Sequence, residues 1–246
     1  MTWKRTLVNA ANTLLRPAGV ALYREGLDMQ AALRHLARRA GTVATVLDIG
    51  ASDGRWSAQS LPLFPAARFV GIDPLEERRA ALERLKQREP RFDYELCAAG
   101  ASDGGTVELG VGADLDGSTV GGAGRTRRVP LRSIDGIVRA KGCQGPFLLK
   151  FDTHGFEVPI LEGAAATLAA THFIVMEVYN YRHVTGTLLF PEMCALLDTH
   201  GFRCFNMADP LQRPLDGCLW QMDLFYARKD HEFFRDDAFR QAAGHG

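Results

Sequence analysis

The chain has 246 residues, of which 46% are hydrophobic, so it is long and apolar enough for one full α/β core. Its 29 Lys and Arg residues balance 29 Asp and Glu residues, and this zero formal net charge argues against a strongly basic nucleic-acid-binding protein. No apolar run reaches the ~18 residues that a membrane span needs, so none is expected.

The five cysteines are odd in number and widely spaced, and no Cys-x-x-Cys pair occurs. This usage is typical of a reduced protein and not of a disulfide scaffold or a zinc site. The first residues carry two basic side chains, but polar residues interrupt their apolar stretch, so they are not predicted to be a signal peptide. A cytoplasmic location is therefore expected.

Residues 1–40 are predicted to form a helical extension that precedes a main domain at 41–246. Leu33 and Leu36 belong to one apolar stripe, and Gly41 is a plausible helix stop. The simplest interpretation is a helical cap on the domain. The alternative is a lid, or a helix in weak contact with a membrane surface, because the segment is basic and amphipathic.

The stretch 45–56 predicts a buried strand, a tight turn and the start of a helix. The strand ends at Gly50, and Gly54 closes the turn. In an open parallel sheet, a nucleotide-like ligand binds at such a turn.

A second strand ends at Asp73, close to the ~20-residue spacing at which a ribose-binding acid follows the first turn. The same residue would also begin a helix well, as an N-cap followed by Pro74 and by Glu76 at the third helical position. The two roles are compatible, and the sequence predicts both.

Two ligand classes fit this strand, turn and acid. A dinucleotide site has the pattern Gly-x-Gly-x-x-Gly, but Ser52 stands at the second glycine position and Arg55 at the third. The carboxylates of Asp48 and Asp53 would repel a pyrophosphate but suit the ammonium and sulfonium charges of S-adenosylmethionine. The acidic turn therefore favours the methyl donor.

The rest of the chain alternates between strands and helices. Further strands are predicted at 92–98, 107–109, 146–152, 172–179, 202–208 and 219–227, and helices at 73–89, 133–140, 158–169 and 190–199. A glycine-rich, mobile loop is expected at 110–124. This alternation predicts a doubly wound, mostly parallel sheet, with the last two strands as an antiparallel pair at one edge.

Three polar residues near strand ends are candidates for catalysis. Asp152 ends the fourth core strand and would orient the acceptor or a base; alternatively, it caps the following helix. His154 is a candidate base, because histidine titrates near neutral pH, or else a surface turn residue. Glu177 interrupts an apolar strand, either near the acceptor or as a paired structural acid. With Glu157 these residues could be pictured around a cation, but no spacing is diagnostic, and no metal is predicted.

The polar aromatic segment after the same strand could form the wall of an acceptor pocket. Tyr179, Asn180, Tyr181 and His183 would suit a polyol through stacking and hydrogen bonds. A solvated aromatic loop is the competing interpretation.

Several segments together resemble the FkbM-type methyltransferases. They are residues 47–57, 70–74, 97–109, 148–164 and 174–178. The block at 148–164 is the specific part, since a glycine turn and an acid alone would indicate only a Rossmann-like fold. The resemblance covers roughly residues 45–228.

This resemblance implies a class I, Rossmann-like methyltransferase fold with S-adenosylmethionine as cofactor, and methylation of a hydroxyl on a sugar, glycan or polyketide-type natural product. By matching positions it implies a set of cofactor-binding residues: Asp48, Gly50, Ala51, Ser52, Asp53, Gly54, Asp73, Pro74, Ala98, Ala99 and Ser102. The chain departs from the family at two positions. Ser52 replaces the usual Asn, and His154 replaces the usual acid, which leaves the general base open.

The expected partner is a small-molecule or glycan substrate and not a nucleic acid, because a neutral chain attracts phosphates weakly. Two other functions remain open at this point. One is an NAD-dependent oxidoreductase, and the other is a non-catalytic module that binds S-adenosylmethionine.

Overall fold

The computed structural model describes residues 11, 13, 14, 17, 27–112, 115, 117–121, 125–182, 184 and 186–239. The α-helices are α1 (Met29–Ala37), α2 (Arg55–Ser60), α3 (Arg79–Arg88), α4 (Ile134–Lys141), α5 (Glu157–Glu162), α6 (Ala165–Ala169) and α7 (Phe190–Thr199). The strands are β1 (Thr45–Ile49), β2 (Arg68–Asp73), β3 (Phe92–Leu96), β4 (Ala98–Ala99), β5 (Thr106–Val111), β6 (Thr119–Val120), β7 (Arg125–Arg132), β8 (Phe147–Phe151), β9 (Thr171–Tyr179), β10 (Phe202–Gln212) and β11 (Leu219–Arg228). Short 3₁₀ helices lie at Glu76–Arg78 and Glu232–Phe234.

The main sheet has seven strands in the order β10-β11-β9-β8-β1-β2-β3. The strands from β9 to β3 are parallel to one another, and β11 runs antiparallel to both of its neighbours. The predicted doubly wound, mostly parallel sheet with an antiparallel pair at one edge is therefore confirmed.

The register of the central strands brings three polar chain segments to one edge of the sheet. Ile49 pairs with Ile72, and the Gly50 N–H then donates to the Ile72 carbonyl at 2.9 Å. On the other side, the Asp152 N–H donates to the Ile49 carbonyl at 2.9 Å. Because parallel strands end on the same side, Gly50, Asp73 and Asp152 emerge next to one another.

Both faces of the sheet are covered, as expected for parallel strands that are apolar on both sides. Side chains alternate along each strand, so Leu47 and Leu149 belong to one apolar cluster and Val46 and Leu148 to the other. The continuous apolar runs of β1 and β8 thus place these two strands at the centre of the molecule.

The described part of the N-terminal extension is α1, which Asp28 caps by accepting a hydrogen bond from the Ala31 N–H at 2.8 Å. Its buried Leu33 and Leu36 join the cluster that contains Val46. The earlier leucines of the predicted extension lie mostly outside the described residues. In the described ranges, no helix has the length and apolar character that a bilayer span requires. The domain boundary at residue 40 stays a prediction.

A second, four-stranded sheet in the order β4-β7-β5-β6 replaces part of the loop expected at 110–124. Within that range, Thr119 and Val120 pair with Gly110 and Leu109. The strand expected at 92–98 is also divided, because β3 pairs with β2 in the main sheet and Ala98 pairs with β7 in the small one. Both differences come from pairing with distant segments.

Two helices differ from expectation. The helix predicted at 158–169 is interrupted at Gly163, where a Cβ atom would lie 2.0 Å from the Gly100 carbonyl oxygen. This close approach of two backbones separates α5 from α6. The helix predicted at 73–89 begins later, with a 3₁₀ turn at Glu76, and Asp73 is not its N-cap. Its carboxylate instead accepts a hydrogen bond from the Leu75 N–H at 2.9 Å.

The central position of β1 gives a stability prediction. Leu47 is fully buried, and we expect Leu47→Ala to lower the free energy of unfolding by about 2–5 kcal/mol, because it leaves a cavity in the core. Leu215 is 82% exposed, so the same substitution there should change it by less than about 0.5 kcal/mol. Urea unfolding followed by circular dichroism measures both. Equal losses at the two positions would contradict the assigned core.

Candidate functional site

A cavity of about 220 Å³ lies at the edge of the sheet where β1, β2 and β8 end. A single water needs only about 10–15 Å³ on this measure, so the cavity has room for an organic ligand. Of the residues predicted for the site, those that line it are Gly50, Ser52, Asp73, Pro74, Ala98, Ala99, Asp152 and His154.

The other predicted cofactor residues lie outside the cavity lining. Asp48 is 1% exposed, and its carboxylate accepts a hydrogen bond from the Ser57 hydroxyl at 2.6 Å. Burial raises the pKa of Asp48 to about 6. The Asp53 carboxylate pairs with the Arg55 guanidinium at 2.9 Å. Ser102 is exposed in a turn. Neither turn carboxylate is therefore presented to the cavity.

Ala51 and Gly54 are also absent from the lining and have packing roles. Ala51 is 4% exposed and belongs to the apolar cluster with Val46. A Cβ atom on Gly54 would lie 2.8 Å from the Leu85 side chain, so this glycine lets the turn approach α3.

Most backbone N–H groups of the turn after β1 already donate hydrogen bonds to acceptors within the protein. The N–H groups of Gly50 and Ala51 donate to the Ile72 carbonyl, and the Gly54 N–H donates to Ala51. The Ser52 N–H donates to Asp73 at 2.8 Å. At the start of α2, the Arg55 N–H donates to the Asp53 carboxylate at 3.1 Å. A pyrophosphate needs such N–H groups as donors, and these are already occupied.

Gly50 must be a glycine for two reasons. Its φ angle is +85°, in the left-handed region that other residues adopt at a cost. A Cβ atom at this position would also lie 2.0 Å from the Asp152 carbonyl oxygen. The turn after β1 therefore lies directly against the segment after β8, and this contact forms the bottom of the cavity.

Asp73 is fixed at the cavity wall by two backbone donors. One carboxylate oxygen accepts the Ser52 N–H at 2.8 Å, and the other accepts the Leu75 N–H at 2.9 Å. The residue is 5% exposed and lines the cavity. The carboxylate is thus held in one orientation, with further lone pairs that can accept hydrogen bonds from the hydroxyls of a ribose.

Apolar residues form the walls on either side of Asp73. They are Ile72, Leu75, Cys97, Ala98, Ala99, Phe156 and Ile160. Burial raises the pKa of the Cys97 thiol to about 12, so this residue is a neutral part of the wall. An apolar slot with small side chains beside a fixed carboxylate matches an adenine ring next to a ribose, and these residues therefore fit the adenosyl part of S-adenosylmethionine.

The predicted catalytic residues lie together. The His154 Nδ1 atom lies 2.6 Å from the Tyr179 hydroxyl oxygen and 3.2 Å from a Glu177 carboxylate oxygen. Glu177 also accepts hydrogen bonds from the Tyr179 hydroxyl and from the Gln221 amide. Glu177 is therefore a paired acid, as one of its two interpretations predicts. It also contacts the candidate base His154.

Asp152 does not cap a helix, because α5 begins after Phe156, four residues further on. Its carboxylate forms an ion pair with Lys150 at 2.9 Å and is 39% exposed. Burial acts to raise the pKa of Asp152, but the Lys150 ammonium outweighs this and holds the pKa below its usual range. Lys150 was not singled out from the sequence. A lysine inside the apolar run of β8 was a detectable signal, since lysine is rarely buried without a partner.

Asp152, His154 and Glu177 offer ligand atoms that all lie within 4.8 Å of one another, a spacing that could hold a metal ion. Each of them already has a protein partner: Lys150 for Asp152, and Tyr179 for the other two. The geometry is thus accounted for by hydrogen bonds and an ion pair within the protein.

The predicted acceptor residues are placed differently from expectation. Tyr179 is 5% exposed and holds His154 and Glu177, so it does not offer its hydroxyl to a ligand. The backbone N–H of Asn180 donates to the Trp220 carbonyl at 2.9 Å. Tyr181 stacks on the Trp220 ring at 5.4 Å. His183 lies outside the described residues.

The Arg213 guanidinium also lies over the Tyr181 ring, 3.9 Å from the ring centre. The ring is therefore already engaged by Trp220 and Arg213 within the protein. Trp220 and Arg213 come from β11 and from the turn before it, and no local pattern around Tyr181 indicated them.

Comparison with known proteins gives one family and several distant structures. A family model described as "Methyltransferase FkbM domain" matches residues 48–204. No curated protein matches the chain.

Similar solved structures include an rRNA methylase from Streptococcus thermophilus, at 10% identity and a TM-score of 0.47, with 85% of this chain and 99% of that chain covered. A 1,6-didemethyltoxoflavin-N1-methyltransferase from Burkholderia thailandensis has 17% identity and a TM-score of 0.44, with 81% and 79% covered. An O-methyltransferase family protein from the same organism has 13% identity and a TM-score of 0.44, with 90% and 58% covered. These likenesses are too distant to indicate a substrate.

Proposed function

The chain belongs to the FkbM methyltransferase family, with S-adenosylmethionine as cofactor, and from this premise we propose that it methylates a hydroxyl group of a sugar, glycan or glycosylated natural product. Its sheet order, with one reversed strand next to the edge, is that of a class I methyltransferase. The observation that carries the proposal is the contact of His154 with Glu177 and Tyr179 at the wall of the cavity.

The cofactor supplies an electrophilic methyl group on a sulfonium. The chain's own residues bind its nucleoside part at the carboxyl ends of the strands. Asp73 is fixed by two N–H donors and would accept hydrogen bonds from the ribose hydroxyls, while Leu75, Ala98 and Ala99, which line the same cavity, would hold the adenine. These apolar walls also exclude water from the reacting atoms.

His154 is proposed as the general base. Its Nδ1 atom lies 2.6 Å from the Tyr179 hydroxyl oxygen, and Nε2 is the atom that we assign as the proton acceptor. S-adenosylmethionine would supply the methyl group and leave as the neutral thioether S-adenosylhomocysteine when its carbon–sulfur bond breaks, and Nε2 would take up the proton of the acceptor hydroxyl. The carboxylate of Glu177, 3.2 Å from Nδ1, stabilises the imidazolium that results.

A hydroxyl acceptor is favoured because it is the acceptor that needs such a base. An aliphatic hydroxyl is a weak nucleophile until its proton is removed, whereas a neutral amine is already nucleophilic. A nucleic-acid acceptor is disfavoured because 29 basic residues are balanced by 29 acidic ones.

The test is transfer of a tritiated methyl group from S-adenosylmethionine to fractions of a cell extract and to a panel of glycans, glycosylated metabolites, amines and RNA. We expect label in a hydroxyl-bearing fraction, with an O-methyl ether identified by mass spectrometry. Label on an amine or on an RNA base would refute hydroxyl methylation. Cofactor binding without transfer to any fraction would instead favour a non-catalytic module.

A further inference from the structure

Lys150 is a buried cation in the middle of the central sheet. It is 2% exposed, and its neighbours in β8 are fully buried apolar residues. A charge at such a position costs several kcal/mol unless partners compensate for it. Its Nζ atom donates to the Asp152 carboxylate at 2.9 Å, while its contact with the Phe151 carbonyl is longer, at 3.4 Å.

Carboxylates from β1, β9 and β11 lie near this ammonium. Asp48 is the direct partner of Lys150 in the β1–β8 ladder. Asp223 is the direct partner of Glu177 in the β9–β11 ladder. Burial lowers the pKa of Lys150, but Asp152, Asp223 and Asp48 outweigh this and hold it above its usual range. The lysine is therefore charged and shared among several acids.

The pKa of Asp223 also depends on the Lys150 ammonium. Burial, together with the charges of Glu177 and Asp152, raises the pKa of Asp223 to about 7, although Lys150 acts to lower it. Among the described residues, its Oδ1 atom has no hydrogen-bond partner. Lys150 thus acts to lower the pKa of each of three acids, Asp48, Asp152 and Asp223.

Of these acids, Asp152 takes the direct bond from Lys150 and also lines the cavity, with 39% of its side chain exposed. Asp48 is closed off, because it is 1% exposed and bound by Ser57. We propose that Lys150 is a positioning residue that fixes the Asp152 carboxylate, ionised and in one orientation, at the cavity wall, where it accepts a hydrogen bond from the methyl acceptor. This rests on the proposed function, which places the acceptor beside His154.

The alternative is that Lys150 only fills space within the fold. The two roles differ in what happens to Asp152. Burial raises the pKa of Asp152, whereas Lys150, His154 and Glu177 lower it. Without the Lys150 ammonium, the largest of the lowering interactions is lost, so the pKa of Asp152 would rise. A group that must be ionised is then ionised only at higher pH, and the acidic limb of the transfer rate moves upward.

The experiment uses aspartate labelled with ¹³C at Cγ in the full chain and follows the Asp152 signal by NMR as the pH is changed. In Lys150→Met we expect the Asp152 pKa to rise by about 1–3 units, the range that an adjacent opposite charge accounts for. Lys150→Arg should keep it within about 0.5 units, because the charge is retained. The matched control is Lys141→Met, which removes an ion pair with Asp93 at 2.9 Å on the far side of β2.

Methyl transfer is measured on the same variants. We expect Lys150→Met to lower kcat by at least about tenfold and to move the acidic limb of the profile upward, with S-adenosylhomocysteine affinity within about threefold of wild type. An unchanged Asp152 titration in Lys150→Met would overturn the proposal. So would a changed titration with an unchanged rate profile.

Two further outcomes are separable. If Asp152 titrates as expected but no hydroxyl is methylated by the wild type, the positioning contact stands and the proposed function fails. If Lys150→Met does not fold, the wild-type ¹⁵Nζ signal of Lys150 decides: it should shift at the pH where Asp152 titrates. If the chemical shift of the ¹⁵Nζ signal does not change at the pH where Asp152 titrates, the proposal is overturned.

Discussion

Gly50→Ala is expected to abolish binding of S-adenosylhomocysteine, with a loss of more than ~100-fold in affinity, or about 2.7 kcal/mol. The added Cβ atom would lie 2.0 Å from the Asp152 carbonyl oxygen, so the first turn must move away from β8. The φ angle of +85° adds backbone strain of about 1–3 kcal/mol. Isothermal titration calorimetry with S-adenosylhomocysteine measures the effect.

Gly217→Ala is the matched control, because it introduces the same kind of backbone strain but no steric clash of the added Cβ atom. Its φ angle is +72°, and among the described residues no atom lies within 4 Å of the added Cβ. It lies in the turn between β10 and β11. This variant should bind S-adenosylhomocysteine like wild type. Equal effects from both substitutions, or no effect from Gly50→Ala, would contradict a ligand site built on the contact between the β1 turn and β8.

His154→Ala is expected to lower kcat for methyl transfer by about 10²–10⁴-fold, the contribution that a positioned base makes. The affinity for S-adenosylhomocysteine should change by less than about threefold, because Asp73 and the apolar walls are untouched. Glu177→Gln should also lower kcat, since its carboxylate lies 3.2 Å from the His154 Nδ1 atom.

His200→Ala serves as the control, because this exposed histidine lies at the carboxyl end of α7. It should transfer methyl groups like wild type. If His154→Ala keeps wild-type kcat, the base is another group and the contact with Glu177 and Tyr179 is structural. If cofactor affinity falls together with kcat, His154 acts in binding.

The strand, turn and helix around Gly50 could be predicted because their cause is local. The apolar run of β1 and the glycine after it determine a buried strand that must turn sharply. The doubly wound, mostly parallel arrangement of the main sheet followed from the alternation of strands and helices. The split between β3 and β4 and the pairing of β6 could not be predicted, since they depend on β5 and β7.

The predicted attraction between the acidic turn and the positive charges of the methyl donor is not supported by the structure. Asp48 is buried with Ser57, and Asp53 is paired with Arg55, so neither carboxylate is presented to the cavity. What disfavours a pyrophosphate is that the N–H groups of Gly50, Ala51, Ser52 and Gly54 are occupied, the Ser52 N–H by Asp73 from the next strand. A bond between two strands cannot be read from the sequence of one turn.

The candidate catalytic residues also divide into what the sequence could predict and what it could not. Glu177 was noticeable because an acid in an apolar strand needs a partner. Its partners, Tyr179 and Gln221, come from the end of β9 and from β11. For this reason Tyr179 was predicted to face the acceptor, although it holds His154 instead. Lys150 could have been found by the rule that identified Glu177.

The most direct test of the account is calorimetric titration of the wild-type chain with S-adenosylhomocysteine and, separately, with NAD. We predict one-to-one binding of S-adenosylhomocysteine that is strongly weakened by Asp73→Ala, and no binding of NAD. Binding of NAD without binding of S-adenosylhomocysteine, or S-adenosylhomocysteine binding that is indifferent to Asp73, would contradict it.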